Sequence, residues 1–183
     1  MPQALVLRNP TMEYQPQVMA YKAALLQNGD SFDGCAGLEE TEDYRDWLDF
    51  EGRLSRKYGS DYVPSTVRLA VRREDNKVVG IIDFRHRLTP FLLRFGGNIG
   101  YSVLPGERGR GYAKEMLHQM LKECRTQGLE KVLVTCDKGN VPSARTILAN
   151  GGVLENEVED QVGLSKSGRI QRYWIPLAEE DLL

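Results

Sequence analysis

The segment Pro105-Gly-Glu-Arg-Gly-Arg-Gly-Tyr-Ala113 gathers the residue types best suited to chemistry. Gly109 and Gly111 let the main chain turn tightly and approach a bulky anion with no Cβ in the way. Arg108 and Arg110 add fixed positive charge and forked N–H donors. An amphipathic run begins immediately afterwards, so the unpaired amides and partial positive charge of a helix start fall at the same spot. Each helix-end interaction is worth only ~0.3–2 kcal/mol, so several converging donors are needed to hold a diphosphate. This loop has them. A Walker loop needs Gly, four residues, then Gly-Lys-Ser/Thr, and no such string occurs. A dinucleotide fingerprint runs Gly-x-Gly-x-x-Gly, whereas Gly106, Gly109 and Gly111 have the reverse spacing. The remaining pattern is Arg or Gln, Gly three residues on, and Gly or Ala two further; Arg108, Gly111 and Ala113 meet it. The competing reading is a Gly-rich turn with surface arginines. Proton-transfer candidates are sparse: His86 titrates in the right range, and Asp83, three residues earlier, falls on the opposite face of the same strand.

The elements that must position these groups read as follows. Leu5–Leu7 is a short strand, closed by Asn9 and Pro10. Tyr14 to Gln27 has helical spacing and ends at Asn28-Gly-Asp30. Ser31–Glu40 is a Gly-rich loop, and Thr41 caps a second helix running through Tyr44, Trp47, Leu48 and Leu54 to Tyr58. Val67–Val71 and Val78–Ile82 flank a polar turn and predict a hairpin. Leu88–Phe95 is an apolar connection with one helical turn, and Ile99–Val103 is a further strand. Ala113, Met116, Leu117, Met120, Leu121 and Cys124 recur at helical spacing up to Gly128. Lys131–Cys136 is a buried strand, Ser143–Ala149 a short helix, and Val153–Val158 with Ile170–Ile175 a closing strand pair. The fold class is α/β (α+β). It is a mixed, mostly antiparallel twisted sheet of about six to seven strands, with a central parallel β-α-β crossover and flanking helices.

Strand 131–136 runs into Asp137-Lys-Gly-Asn140-Val-Pro-Ser143-Ala-Arg145, a helix, and Asn150-Gly-Gly152. Strand, Asn-x-x-Ser, short helix, Gly, strand resembles the second signature of the GNAT superfamily of N-acetyltransferases, and the 108–113 cradle resembles its first. The likeness spans roughly Val67 to Ile175. Phe84-Arg-His86, Gly96–Tyr101 and Gly151–Glu155 also resemble a bacterial subgroup of predicted acetyltransferases. The resemblance implies one domain over 1–183, with 1–62 a variable part that shapes the acceptor site and 67–176 the core. It implies acetyl-CoA as cosubstrate and an amine as acceptor. Val103 and Leu104 would offer backbone groups to the pantetheine arm, which lies like an extra strand where two parallel strands splay. Arg108, Gly109, Arg110, Gly111, Tyr112 and Ala113 would wrap the pyrophosphate. Asn140 would bond the pantetheine or thiol region, and Ser143 with Arg145 would touch the arm or the phosphates. Asn140 and Ser143 also read as helix-capping residues.

Transfer to a primary amine by direct attack in a ternary complex needs a neutral nitrogen, an oxyanion donor such as the Val103 N–H, and a route for the thiolate's proton. Many relatives place a Tyr seven residues after the Asn for that proton; here position 147 is Ile. Tyr173 and Cys136 are substitutes by position only, each reading more readily as packing, or the thiolate leaves unaided. His86, Asp83 and Tyr173 are thus the candidate catalytic residues.

Composition limits the alternatives. Net charge is −2 with signs mixed along the chain, which argues against a nucleic-acid-binding face. No run approaches the ~18–20 apolar residues of a membrane span, so a cytoplasmic protein is expected. Cys35, Cys124 and Cys136 are widely spaced and His86 and His118 are the only histidines, so reduced thiols and no metal are expected. A homodimer is admitted. A coenzyme-A-binding sensor and a nucleotide-dependent oxidoreductase are the other functional classes weighed.

Overall fold

The computed structural model describes residues 3–49, 55–58 and 61–177. Its strands are β1 (Leu5–Arg8), β2 (Ser55–Tyr58), β3 (Asp61–Arg72), β4 (Lys77–Arg85), β5 (Ile99–Val103), β6 (Lys131–Asp137), β7 (Val153–Glu159) and β8 (Arg169–Pro176). The helices are α1 (Gln15–Asn28), α2 (Tyr44–Leu48), α3 (Tyr112–Thr126) and α4 (Val141–Ala149). The sheet runs β1-β3-β4-β5-β6-β8-β7, with β2 paired to β3 off this path. Neighbours are antiparallel except β5 and β6, which are parallel across the α3 crossover. This is the mixed sheet the pattern predicts.

Strand alternation splits the core in two. Val67, Leu69 and Val71 of β3 join Val78 and Ile81 of β4 beneath Tyr14, Val18, Tyr21 and Leu25 of the N-terminal helical part. Ile82 and Phe84 of β4 turn the other way, with Val132 and Val134 of β6, toward Met116, Leu117 and Met120 of α3. The apolar stripe of α3 is therefore its sheet-facing side.

The second helix differs from expectation. It is five residues long, and Asp43, not Thr41, caps it by accepting the Arg45 N–H at 2.8 Å. The Thr41 hydroxyl instead donates to Gly37 O at 2.8 Å. Tyr44 and Trp47 are buried, with Trp47 Nε1 donating to Cys35 O at 2.9 Å; the backbone then leaves helical space at Asp49 (ψ 120°). Residues 55–58, expected as the end of that helix, pair with Asp61–Pro64 as a hairpin arm. The stretch 50–54 lies outside the described residues. In 55–58 the strand ladder, not a helix, satisfies the backbone.

Candidate functional site

The site is organised by the split between β5 and β6. Their parallel pairing is registered at Ile99 and Val134 alone. Between β4 and β5 the hydrogen-bonded pairs include Leu104 N–H to Val79 O at 2.8 Å and Arg85 N–H to Asn98 O at 2.6 Å. By the antiparallel alternation, Gly100, Ser102 and Leu104 therefore bond toward β4, whereas the Asn98 N–H crosses to Leu133 O of β6 at 2.7 Å. The main-chain groups of Tyr101 and Val103 then face β6, beyond the point where the pairing ends. A strand edge of this kind accepts an extended, amide-bearing chain. Leu104, expected to share this role, has spent its N–H on Val79.

At the foot of the split stands the N-terminus of α3. Gly111 takes φ +81°, no side chain caps the helix among the described residues, and the Glu115 N–H is the one returning to Gly111 O at 3.2 Å. The Tyr112, Ala113 and Lys114 amides precede that first helical bond and have no intrahelical partner. Gly109 is also left-handed (φ +78°), and a Cβ at 109 or 111 would meet nothing within 4 Å. These glycines answer a demand of the backbone and not of crowding.

The charges around this turn are partitioned. Arg108 turns back: its Nε donates to Val103 O at 3.0 Å and its guanidinium pairs with Asp30 at 2.8 Å. Arg110 stays more than half exposed, with Glu107 at 3.4 Å. Glu107 is 6% exposed. It accepts from Arg72 and Lys77, each at 2.7 Å, because the β3–β4 hairpin closes over it. Those bonds, Lys77 foremost, hold its carboxyl below the usual range. Tyr112 is buried, and its hydroxyl accepts from Arg72 at 3.3 Å. The hairpin and the cradle are thereby one unit.

On the other side of the split, Asn140 caps α4, its Oδ1 accepting the Ser143 N–H at 3.2 Å. Arg145 is exposed, whereas Ile147 is fully buried beside Gly152. Position 147 is a core position here. The Tyr101 hydroxyl lies 2.9 Å from Ser143 Oγ, spanning from β5 to the first turn of α4. Burial pushes that phenol well above its ordinary range. Cys136, at the end of β6, is pushed up by burial to about 11.

The candidate catalytic residues do not converge. Asp83 is buried, 3.4 Å from Arg85, on the face that carries Ile81 and the 31–37 loop. His86 lies past the end of β4 with its ring against Phe84, and its Nε2 is 2.7 Å from Thr66 Oγ1. Desolvation lowers its pKa. Tyr173 sits on β8, one strand beyond β6, and donates to Gln171 Oε1 at 2.8 Å.

Sequence reading missed the lining contributed by the 31–37 loop. Gly34 packs on the backbone of β5, where a Cβ would stand 2.4 Å from Gly100 O. Tyr21 and Cys35 reach Ser102 Oγ at 2.8 and 3.3 Å. Burial raises the Cys35 and Tyr101 groups, and Asp33 of this loop is exposed. The Gly-Cys-Ala-Gly run was the available signal. Among the described residues no group of three or more His, Cys, Asp or Glu could hold a metal ion, and no helix is long and apolar enough to cross a membrane.

A split mixed sheet with an uncapped helix start at its foot defines the fold class as α/β. The family model described as acetyltransferase (GNAT) domain matches residues 5–153, and the chain belongs to that family. No curated protein sequence matches it significantly. Among solved structures it is similar to the microcin self-immunity acetyltransferase MccE, crystallised with acetyl-CoA and AMP. That match has TM-score 0.66 at 14% identity, over 96% of this chain and 97% of that one. It is also similar to yncA of Salmonella typhimurium, a putative acetyltransferase solved with acetyl-CoA (TM-score 0.64, 15% identity, 97% and 96% covered). A chimaera of the spermidine N-acetyltransferase SpeG from Vibrio cholerae gives TM-score 0.65 at 13% identity, with 95% and 96% covered. At such identities the likeness is one of fold.

Proposed function

We propose that this acetyltransferase moves the acetyl group of acetyl-CoA to a primary amine by direct attack within a ternary complex. The observation that carries the reading is the uncapped, glycine-hinged start of α3 at the foot of the β5–β6 split. Amides of Tyr112, Ala113 and Lys114, with Arg110 beside them, match a diphosphate. The open edge of Tyr101 and Val103 matches the amides of a pantetheine arm, with the Val103 carbonyl passing from Arg108 to that arm. Asn140 and Ser143 stand where the arm passes β6, and Arg145 is exposed for a phosphate. The solved relatives holding acetyl-CoA support this choice of ligand.

The Val103 N–H, facing the split, is the donor placed for the oxyanion of the tetrahedral adduct. The acceptor enters from the face of Gly100 and Ser102, lined by the 31–37 loop with its exposed Asp33, and with Asp83 beneath. An alkyl ammonium near pKa 10.4 must lose a proton at a cost of ~4–5 kcal/mol at pH 7. Carboxylates attract the cation, and the apolar surroundings of the split favour its neutral form. His86, on the other face and bonded to Thr66, supplies a base only through water.

The test measures free coenzyme A thiol released from acetyl-CoA with spermidine, kanamycin, lysine and a short peptide. Turnover on at least one amine above hydrolysis supports transfer. Tight binding of acetyl-CoA with no turnover on any amine turns the reading to the coenzyme-binding sensor.

A further inference from the structure

We infer that Tyr101 is the proton donor to the departing thiolate, the role for which position 147 offers only Ile; this rests on the acetyl-transfer reading above. Three observations converge on Tyr101. It is the first residue of β5 past the Ile99–Val134 register whose main chain faces β6, so it stands where the split opens. Its side chain leaves β5 on the α3 and α4 face and reaches Ser143 in the first turn of α4 (2.9 Å to Oγ). The phenol thereby spans from β5 to the helix that follows β6, and a thioester lying in the split passes beneath it. Cys136 of β6, raised chiefly by its burial, belongs to the apolar cluster against which Tyr101 packs.

The two alternatives are placed less well. Tyr173 is on β8, one strand beyond β6. Ile147 is fully buried under Gly152, so a substitution there would not bring a hydroxyl to the sulfur without unpacking the core.

The step balances as follows. The neutral amine nitrogen bonds to the thioester carbonyl carbon, and the C–S pair goes to sulfur as the adduct collapses. The Tyr101 O–H proton passes to that sulfur, giving free thiol and phenolate. The proton lost by the new amide nitrogen returns to the phenolate through water or the Ser143 hydroxyl.

The variant is Tyr101→Phe, which keeps the ring. Its melting temperature and its acetyl-CoA Kd are measured first, and both are expected to stay near those of the parent. With acetyl-CoA and the best amine of the panel, kcat falls about 100-fold or more. A small aryl thioester of acetate carries a more acidic leaving thiol that needs no acid, so its loss in kcat/KM shrinks to within about threefold. Ser143→Ala, which removes the phenol's hydroxyl partner, shows the same leaving-group trend with a smaller loss. Retention of kcat within threefold by Tyr101→Phe on acetyl-CoA overturns the assignment, as does an equal loss on both donors. Failure of the parent itself to bind or turn over acetyl-CoA strikes instead at the underlying transfer reading.

Discussion

Gly111 allows the phosphate cradle to be tested with its fold and charge effects separated. It opens α3 with φ +81°, a region where an L-residue costs roughly 1–2 kcal/mol. A Cβ there would meet nothing within 4 Å, so no clash adds to that strain. For a chain of this size the cost lowers the melting temperature by about 2–8 °C in Gly111→Ala. Gly111→Asn should lose less, since Asn tolerates the left-handed region. Gly111→Asp is nearly isosteric with Gly111→Asn but sets a negative charge beside the diphosphate. At roughly 5 Å and an effective dielectric between about 20 and 80, each unit of like charge costs ~1–3 kcal/mol. The acetyl-CoA Kd, read by calorimetry, should therefore be about 5–150-fold weaker for the Asp variant than for the Asn variant. Equal Kd values would refute the cradle, whatever the melting temperatures showed.

Other outcomes follow from the same geometry. Gly34→Ala combines left-handed strain (φ +74°) with a 2.4 Å approach to Gly100 O, and should destabilise by roughly 2–5 kcal/mol in denaturant titration. Glu107 has a lowered folded pKa, so its contribution is complete above the unfolded value of about 4.3 and fades as pH falls through the folded value. Glu107→Gln should accordingly flatten the acid limb of the melting-temperature profile; an unchanged limb would contradict the buried network. Burial raises Cys35 and Cys124 to about 12 and Cys136 to about 11. A chromogenic disulfide at pH 8 should leave the native thiols largely unlabelled and titrate all three after denaturation.

Local chemistry made most of the core readable. The 3.6-residue stripe of α3, the Gly128 stop and the 67–82 hairpin are written in residues adjacent in sequence, and each stands where the pattern put it. The second helix was misread because Tyr44, Trp47, Leu48 and Leu54 share a period that tertiary packing ends at Leu48. Of the candidate site, the glycines at 109 and 111 could be read because left-handed backbone is a local need. The destinations of the arginines could not. Arg108 meets Asp30 across 78 positions, and Glu107 is sealed by Arg72 and Lys77 from another hairpin. Tyr101 stood in a quoted string without a role, since its partner Ser143 is 42 positions away and only the diverging strands bring them together.

The account stands or falls on the bend at the start of α3 gripping the coenzyme's diphosphate. A melting curve with acetyl-CoA near a hundred times its Kd should show stabilisation of ~2.7 kcal/mol, about 5–11 °C for this chain. No shift at millimolar acetyl-CoA, with the protein folded, would contradict it.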